Sequence, residues 1–168
     1  VCRGNLDAAG ETALVAALRN LPHQVKSALA LDKQIQSLAE EFANKHNSLF
    51  LGRGSQYPIA MEGALKLKEI SYIHSEAFAA GEMKHGPISL VENGTLVVGI
   101  LTQPDLFEKS VSNMVEVKSR GAFLMGLTTY GNYSIEDTAG FTVYVPKTDP
   151  HFATSLSVIP LQLLAYYV

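Results

Sequence analysis

Residues 49–87 read LFLGRGSQYPIAMEGALKLKEISYIHSEAFAAGEMKHGP and contain the strongest structural signals in the chain. The apolar run at residues 49–51 predicts a short buried strand. A turn is predicted at residues 52–55, Gly-Arg-Gly-Ser, and a helical pattern begins near Pro58, a residue type that suits the first helical position. The predicted order is therefore strand, glycine turn, helix.

The helix that follows carries three charges on one narrow stripe. At about 100° per residue, Glu62, Lys66 and Glu69 fall within about 60° of one another, whereas Lys68 points away from them. The other helix residues are almost all apolar or small, which predicts a buried helix whose charges find partners or line a cavity. The same spacing also fits an ordinary ion pair between side chains one turn apart.

Length and composition limit the class of protein. With 168 residues, 47% hydrophobic, the chain has the size of one globular domain with a substantial core. The net charge of -3 and the scattered basic residues argue against nucleic-acid binding. No apolar run reaches the roughly 18 residues of a membrane span. A single cysteine, Cys2, excludes an internal disulfide and indicates a reducing, cytoplasmic location.

Strands and helices alternate along the chain. Pro22 is expected to break the first helical region into two, and Asp32 is expected to cap a helix at residues 33–45. The other predicted elements are strands at 48–51, 95–101, 122–128 and 141–145 and helices at 104–120 and 155–168. This alternation predicts a mostly parallel sheet with helices on both faces. The predicted organisation is an N-terminal arm and helix at residues 1–20 and one domain at residues 21–168.

Two motifs carry a family resemblance. GRGSQYPIAMEGALKLKEISYIH, followed by GEMKHGP, is similar to the second half of the isomerase domain of the glucosamine-6-phosphate synthase family, and PLQLLAY at residues 160–166 extends the match. Members of that family have two sugar-isomerase (SIS) subdomains after a glutaminase domain. The resemblance implies a flavodoxin-like three-layer sandwich, and it covers only the second SIS subdomain.

The resemblance implies catalytic roles for three residues. Glu69 would be the acid/base carboxylate that moves a proton between C1 and C2 of the open-chain sugar, with burial raising its pKa toward neutrality. Lys66 would assist proton transfer at the sugar hydroxyls and steady the charge of Glu69. His85 would help to open the sugar ring and would reach the site of a neighbouring subunit, since an imidazole exchanges protons near pH 7.

The glycine turn is a weaker candidate for binding phosphate. Ser55 and Gln56 lie where an SIS module cradles a sugar phosphate, but Tyr57 and Pro58 follow instead of further serines or threonines. Pro58 also removes one donor N–H. The turn is therefore interpreted as a degenerate copy in which Ser55 caps the helix. No metal-ligand spacing is present, and no cofactor is expected.

The resemblance also implies parts that this chain lacks. The C-terminal helix ends without a cap, so the chain is interpreted as truncated before a tail that carries the Schiff-base lysine. The expected function is an isomerase subdomain acting on fructose 6-phosphate to give glucosamine 6-phosphate, inactive by itself. Its expected partners are a second copy in a homodimer, the glutaminase domain and the first SIS subdomain. The alternatives are a phosphosugar-binding regulatory module and a stand-alone aldose–ketose isomerase.

Overall fold

The computed structural model describes residues 4–43 and 45–168, which form a five-stranded sheet with helices on both faces. In chain order the elements are α1 (Ala8–Leu29), α2 (Asp32–Phe42), β1 (Asn47–Gly52), α3 (Gln56–Ser71), β2 (His74–Ala79), β3 (Leu96–Ile100), α4 (Phe107–Lys118), β4 (Phe123–Thr129), β5 (Phe141–Val145) and α5 (Ala153–Tyr167). Cys2 lies outside the described residues. The predicted fold class is confirmed.

All neighbouring strands pair in parallel, in the order β2-β1-β3-β4-β5. This is the flavodoxin-like doubly wound order, in which the chain reverses direction across the sheet next to β1. The carboxyl end of β1 therefore lies at the position where open α/β sheets commonly bind ligands. Residues 52–55, the glycine turn, occupy that position.

Alternate side chains of the strands enter two separate cores. Phe50 and Val98 pack with α2, α3 and α5 on one face, whereas Leu49 and Val97 pack with α4 and short 3-10 segments on the other. The two faces are both covered, which explains why the strands read as continuous apolar runs. α3 approaches both β1 and α5 closely because Gly63 has no side chain; a Cβ there would lie 3.0 Å from Phe50 Cδ1 and 2.8 Å from Leu161 Cδ1.

The predicted break at Pro22 is wrong, since α1 continues from Ala8 to Leu29 with the proline inside it. An interior proline costs about 3 kcal/mol. Leu21 and Val25 pack against the core on either side of Pro22, and Gln24 Nε2 donates to the carbonyl of Lys147 at 2.8 Å. These tertiary contacts offset the local penalty and keep the helix continuous.

Helix α2 and strand β2 also differ from the sequence predictions. α2 begins at Asp32 itself, with Leu31 in the cap position, and ends at Phe42. The edge strand β2 was not predicted, because the segment His74–Ala79 contains no β-branched residue. This strand forms one wall of the groove described below.

Candidate functional site

α3 brings the three predicted charges together on one side of the helix. Lys66 Nζ donates a hydrogen bond to Glu69 Oε2 at 2.7 Å and lies 3.9 Å from Glu62 Oε1. Lys66 is therefore hydrogen-bonded to Glu69, and its ion pair with Glu62 is long. The stripe that the helical spacing predicted is present, and its tight pair is Lys66 with Glu69.

The predicted burial of this stripe is wrong for the chain as it stands. The side chain of Glu69 is 50% exposed and that of Lys66 is 32% exposed. The reason is that α3 covers the sheet with one face only; its outer face also exposes Met61, Leu65 and Ile70. A carboxylate and an ammonium group thus lie at the surface beside uncovered apolar side chains.

The pair affects the protonation of the lysine. The hydrogen bond to Glu69 raises the pKa of Lys66 above its ordinary value, partial desolvation opposes this, and the negative charges of Glu69 and Glu62 add to the increase. Lys66 therefore remains an ammonium group across the neutral range. It acts as a fixed hydrogen-bond donor to Glu69 and presents positive charge to anything that approaches the carboxylate.

A groove of about 640 Å³ lies between α3 and the edge strand β2. Its residues are Tyr57, Pro58, Met61, Glu62, Ala64, Leu65, Lys68, Glu76, Ala77 and Phe78. Apolar side chains form most of the surface, and Glu62, Lys68 and Glu76 add charges. The groove adjoins the charged stripe, because Glu62 belongs to both. Sequence reasoning missed it, since one wall is the unpredicted strand β2.

His85 belongs to a different part of the described chain, the segment that follows β2. It is exposed at the end of a 3-10 segment, Ala80–His85, and Gly86 follows with a φ of 149° that glycine adopts readily. Ala80 and Met83 of the segment are buried in the core below. Across residues 4–43 and 45–168, no hydrogen bond or ion pair joins His85 to Lys66 or Glu69.

The turn after β1 places Ser55 and Gln56 differently. Ser55 occupies the cap position of α3 but makes no side-chain bond to the helix N–H groups; its Oγ lies 3.4 Å from Gln103 Oε1. Gln56 begins the helix and is only 1% exposed, with neither amide atom hydrogen-bonded. The Ser55 side chain thus faces solvent, whereas that of Gln56 points into the protein.

Neither a metal site nor a membrane-spanning helix is found within the described residues. Nowhere in residues 4–43 and 45–168 do three or more His, Cys, Asp or Glu side chains converge as a metal site. None of the helices described for this chain combines the length and hydrophobicity required to span a bilayer.

Sequence comparisons place the chain among known proteins. The pattern of the SIS domain matches residues 41–168. The glutamine–fructose-6-phosphate aminotransferase (isomerizing) of Pseudomonas putida is 51% identical over 170 residues, covering 99% of this chain and 27% of that protein. The enzyme of the same name from Caldanaerobacter subterraneus is 45% identical over 166 residues, with the same coverage. The chain thus spans about a quarter of these relatives.

Solved structures agree with the sequence comparisons. The C-terminal domain of glucosamine-fructose-6-phosphate aminotransferase from Francisella tularensis superposes with a TM-score of 0.89 at 38% identity, covering 97% of this chain and 46% of that chain. Tagatose-6-phosphate ketose/aldose isomerase from Escherichia coli has a TM-score of 0.67 at 19% identity, covering 86% and 42%, and shares the fold. The resemblance inferred from the motifs is confirmed.

Proposed function

Because this chain belongs to the SIS domain family, we propose that it is the second SIS subdomain of a glutamine–fructose-6-phosphate aminotransferase. In this role it supplies acid/base groups for the conversion of a ketose to an aldose. The relatives at 45% and 51% identity carry that name, and the matched segment is about a quarter of their length. The activity of the longer protein is therefore part of the proposal.

The observation that carries the proposal is the Lys66–Glu69 pair at the surface of α3. A base that takes a proton from carbon needs to be reachable by substrate and held in place by a neighbour. Glu69 is half exposed and is held by a 2.7 Å hydrogen bond from Lys66. The groove beside the stripe is mostly apolar, as expected of a surface that a second protein surface covers. Such a cover would close the site and exclude water.

The proposed chemistry is a proton transfer between adjacent carbons. Glu69 takes the proton from C1 of the open-chain ketose imine, and the imine nitrogen gains a proton as the double bond moves to C1–C2. Glu69 then returns a proton to C2, and O1 loses its proton as C1 becomes the aldehyde. Lys66 holds the carboxylate and assists the proton transfers at the sugar hydroxyls.

The proposal includes the partners that the resemblance implies. The substrate is fructose 6-phosphate and the product is glucosamine 6-phosphate; the glutaminase domain and the first SIS subdomain belong to the longer chain. The protein acts as a cytoplasmic homodimer in which His85 serves the neighbouring subunit. His85 is exposed and has no bond to Lys66 or Glu69 within the described residues, which supports this arrangement. Ser55 and Gln56 remain candidates for substrate binding.

Two alternatives are less well supported. A regulatory phosphosugar module or a stand-alone isomerase needs a complete phosphate-binding turn within this chain. Here the turn offers one exposed hydroxyl, that of Ser55, while the Gln56 side chain is buried. A regulator also has no need of a carboxylate held by a lysine beside an apolar groove.

The test replaces the matching quarter of the Pseudomonas putida aminotransferase with this chain and measures glucosamine 6-phosphate formed from fructose 6-phosphate and glutamine. We expect the chimera to be active and Glu69→Gln to lower the rate about a hundredfold or more, because an amide cannot accept the proton. Urea unfolding of the 168-residue chain with the same substitution shows whether each variant is folded.

The matched control is Glu108→Gln, which makes the same change at an exposed position of α4. It is expected to retain the parental rate. A Glu69→Gln chimera that forms product as fast as the parent would contradict the proposal. So would a parental chimera that hydrolyses glutamine but forms no amino sugar.

A further inference from the structure

Arg53 lies in the turn after β1 and reaches across the carboxyl end of the sheet. Its Nη1 donates a hydrogen bond to Oδ1 of Asn113 on α4 at 2.8 Å. Asn113 is buried. None of the ion pairs in the described part of the chain includes Arg53. The guanidinium is thus fixed by a neutral partner that lies sixty positions away in sequence.

The same guanidinium lies against the backbone of Gly81. A Cβ at Gly81 would be 3.0 Å from Nη2, 3.3 Å from Cζ and 3.4 Å from Nη1 of Arg53. All three near neighbours belong to the arginine, so the missing side chain at Gly81 makes room for it. The φ of Gly81 is outside the left-handed region, so an alanine would fit the backbone, and the nearest atoms that its Cβ would displace are those of the guanidinium.

Gly81 belongs to the 3-10 segment that ends at His85. That segment is anchored from below by Ala80 and Met83, and its other end is exposed. Arg53 therefore connects three parts of the molecule: the turn after β1, the buried face of α4, and the segment that presents the histidine.

We propose that Arg53 is a positioning residue that holds the His85 segment in place through its contacts with Gly81 and Asn113. The importance of this position for catalysis rests on the proposed function of His85. The contacts of Arg53 with Gly81 and Asn113 do not depend on that function, because they lie within this chain. A planar guanidinium suits this task, since it packs flat on the backbone and donates from its edge.

The test uses amide hydrogen exchange of the 168-residue chain followed by NMR. Arg53→Leu and Gly81→Ala are each expected to speed exchange of the Met83 and His85 amides about tenfold or more, and Val98 in the central sheet should keep its protection. The double variant should exchange no faster than Arg53→Leu, because both changes remove the same contact. Gly140→Ala is the control, since its Cβ would meet atoms only at 3.7 Å or beyond.

Substitutions at Asn113 distinguish positioning from packing. Asn113→Asp keeps an oxygen that accepts from Arg53 and should preserve slow exchange near His85, whereas Asn113→Leu fills the space without an acceptor and should not. Unchanged exchange at Met83 and His85 in both Arg53→Leu and Gly81→Ala would overturn the inference. Equal protection in the two Asn113 variants would also overturn it.

The outcomes separate this inference from the proposed function. Faster exchange near His85, together with an active Glu69→Gln chimera, would leave the Arg53 contact established and the isomerase role refuted. Unchanged exchange, together with an inactive Glu69→Gln chimera, would refute the positioning role and leave the isomerase role supported. In the active chimera, Arg53→Lys should lower kcat and leave the KM for fructose 6-phosphate nearly unchanged.

Discussion

Lys66 stands between two carboxylates on α3 but bonds strongly to only one of them. We predict that Glu69→Gln lowers the pKa of Lys66 more than Glu62→Gln does, because the 2.7 Å hydrogen bond is the main cause of the increase and Glu62 lies 3.9 Å away. The measurement is an NMR titration of the Lys66 side-chain carbon next to Nζ in the wild type and both variants. Equal decreases in the two variants would show that the net charge of the stripe matters and the bond does not.

The same pair has a defined pH dependence. Because the pKa of folded Lys66 is above its ordinary value of 10.5, its contribution to stability is complete below pH 10.5. The contribution is lost as the pH rises through the folded pKa. The difference in unfolding free energy between the wild type and Glu69→Gln should therefore be constant near neutrality and shrink above pH 10.5.

Helical spacing predicts only part of the arrangement around Lys66. A rotation of 100° per residue predicts that Glu62, Lys66 and Glu69 share a stripe. It does not say which carboxylate the lysine bonds, because side-chain rotamers decide that. Nor does it relate Arg53 to Asn113, since their contact depends on how α4 docks beside the turn.

Among the elements, α3 has two faces that should respond very differently to the same substitution. Leu67 is fully buried against the core, whereas Leu65 faces solvent in the groove. We predict that Leu67→Ala lowers the free energy of unfolding by about 2–5 kcal/mol and that Leu65→Ala changes it by less than about 0.5 kcal/mol. Urea unfolding of the 168-residue chain measures both. A large loss from Leu65→Ala would mean that the groove is closed in solution.

The strands that could be predicted are those buried on both faces. Apolar runs predicted β1, β3, β4 and β5 to within one residue at each boundary. The edge strand β2 has no such run, and its place depends on pairing with β1, where Phe50 lies beside Ala77. The continuity of α1 through Pro22 likewise depends on packing against α5, which no local pattern contains.

The molecule as a whole offers an exposed carboxylate held by a lysine, but its turn after β1 has few groups that could bind a phosphate. We predict that the chain binds fructose 6-phosphate and glucosamine 6-phosphate with a Kd in the millimolar range or weaker, roughly -4 kcal/mol. The reason is that the turn after β1 exposes Ser55 but buries Gln56, and Pro58 lacks an N–H.

A titration followed by NMR shifts at Ser55 and Glu69 measures this affinity, and inorganic sulfate is the control for nonspecific anion binding. Micromolar binding of either sugar phosphate, with shifts at Ser55, would contradict the prediction. It would favour a module that recognises phosphosugars without a second subdomain.

α5 follows β5 in the sequence, and it packs against α1, α2 and α3, which are synthesised well before it. Leu161 lies over Gly63 of α3, and the Tyr167 hydroxyl donates to Asp32 Oδ1 of α2 at 2.6 Å. During synthesis, the apolar faces of α1, α2 and α3 that pack on α5 therefore remain exposed until residues 153–167 leave the ribosome. At roughly 5–20 residues per second, this delay lasts several seconds. Nascent chains of this protein should consequently be substrates for ribosome-associated chaperones until translation has passed α5.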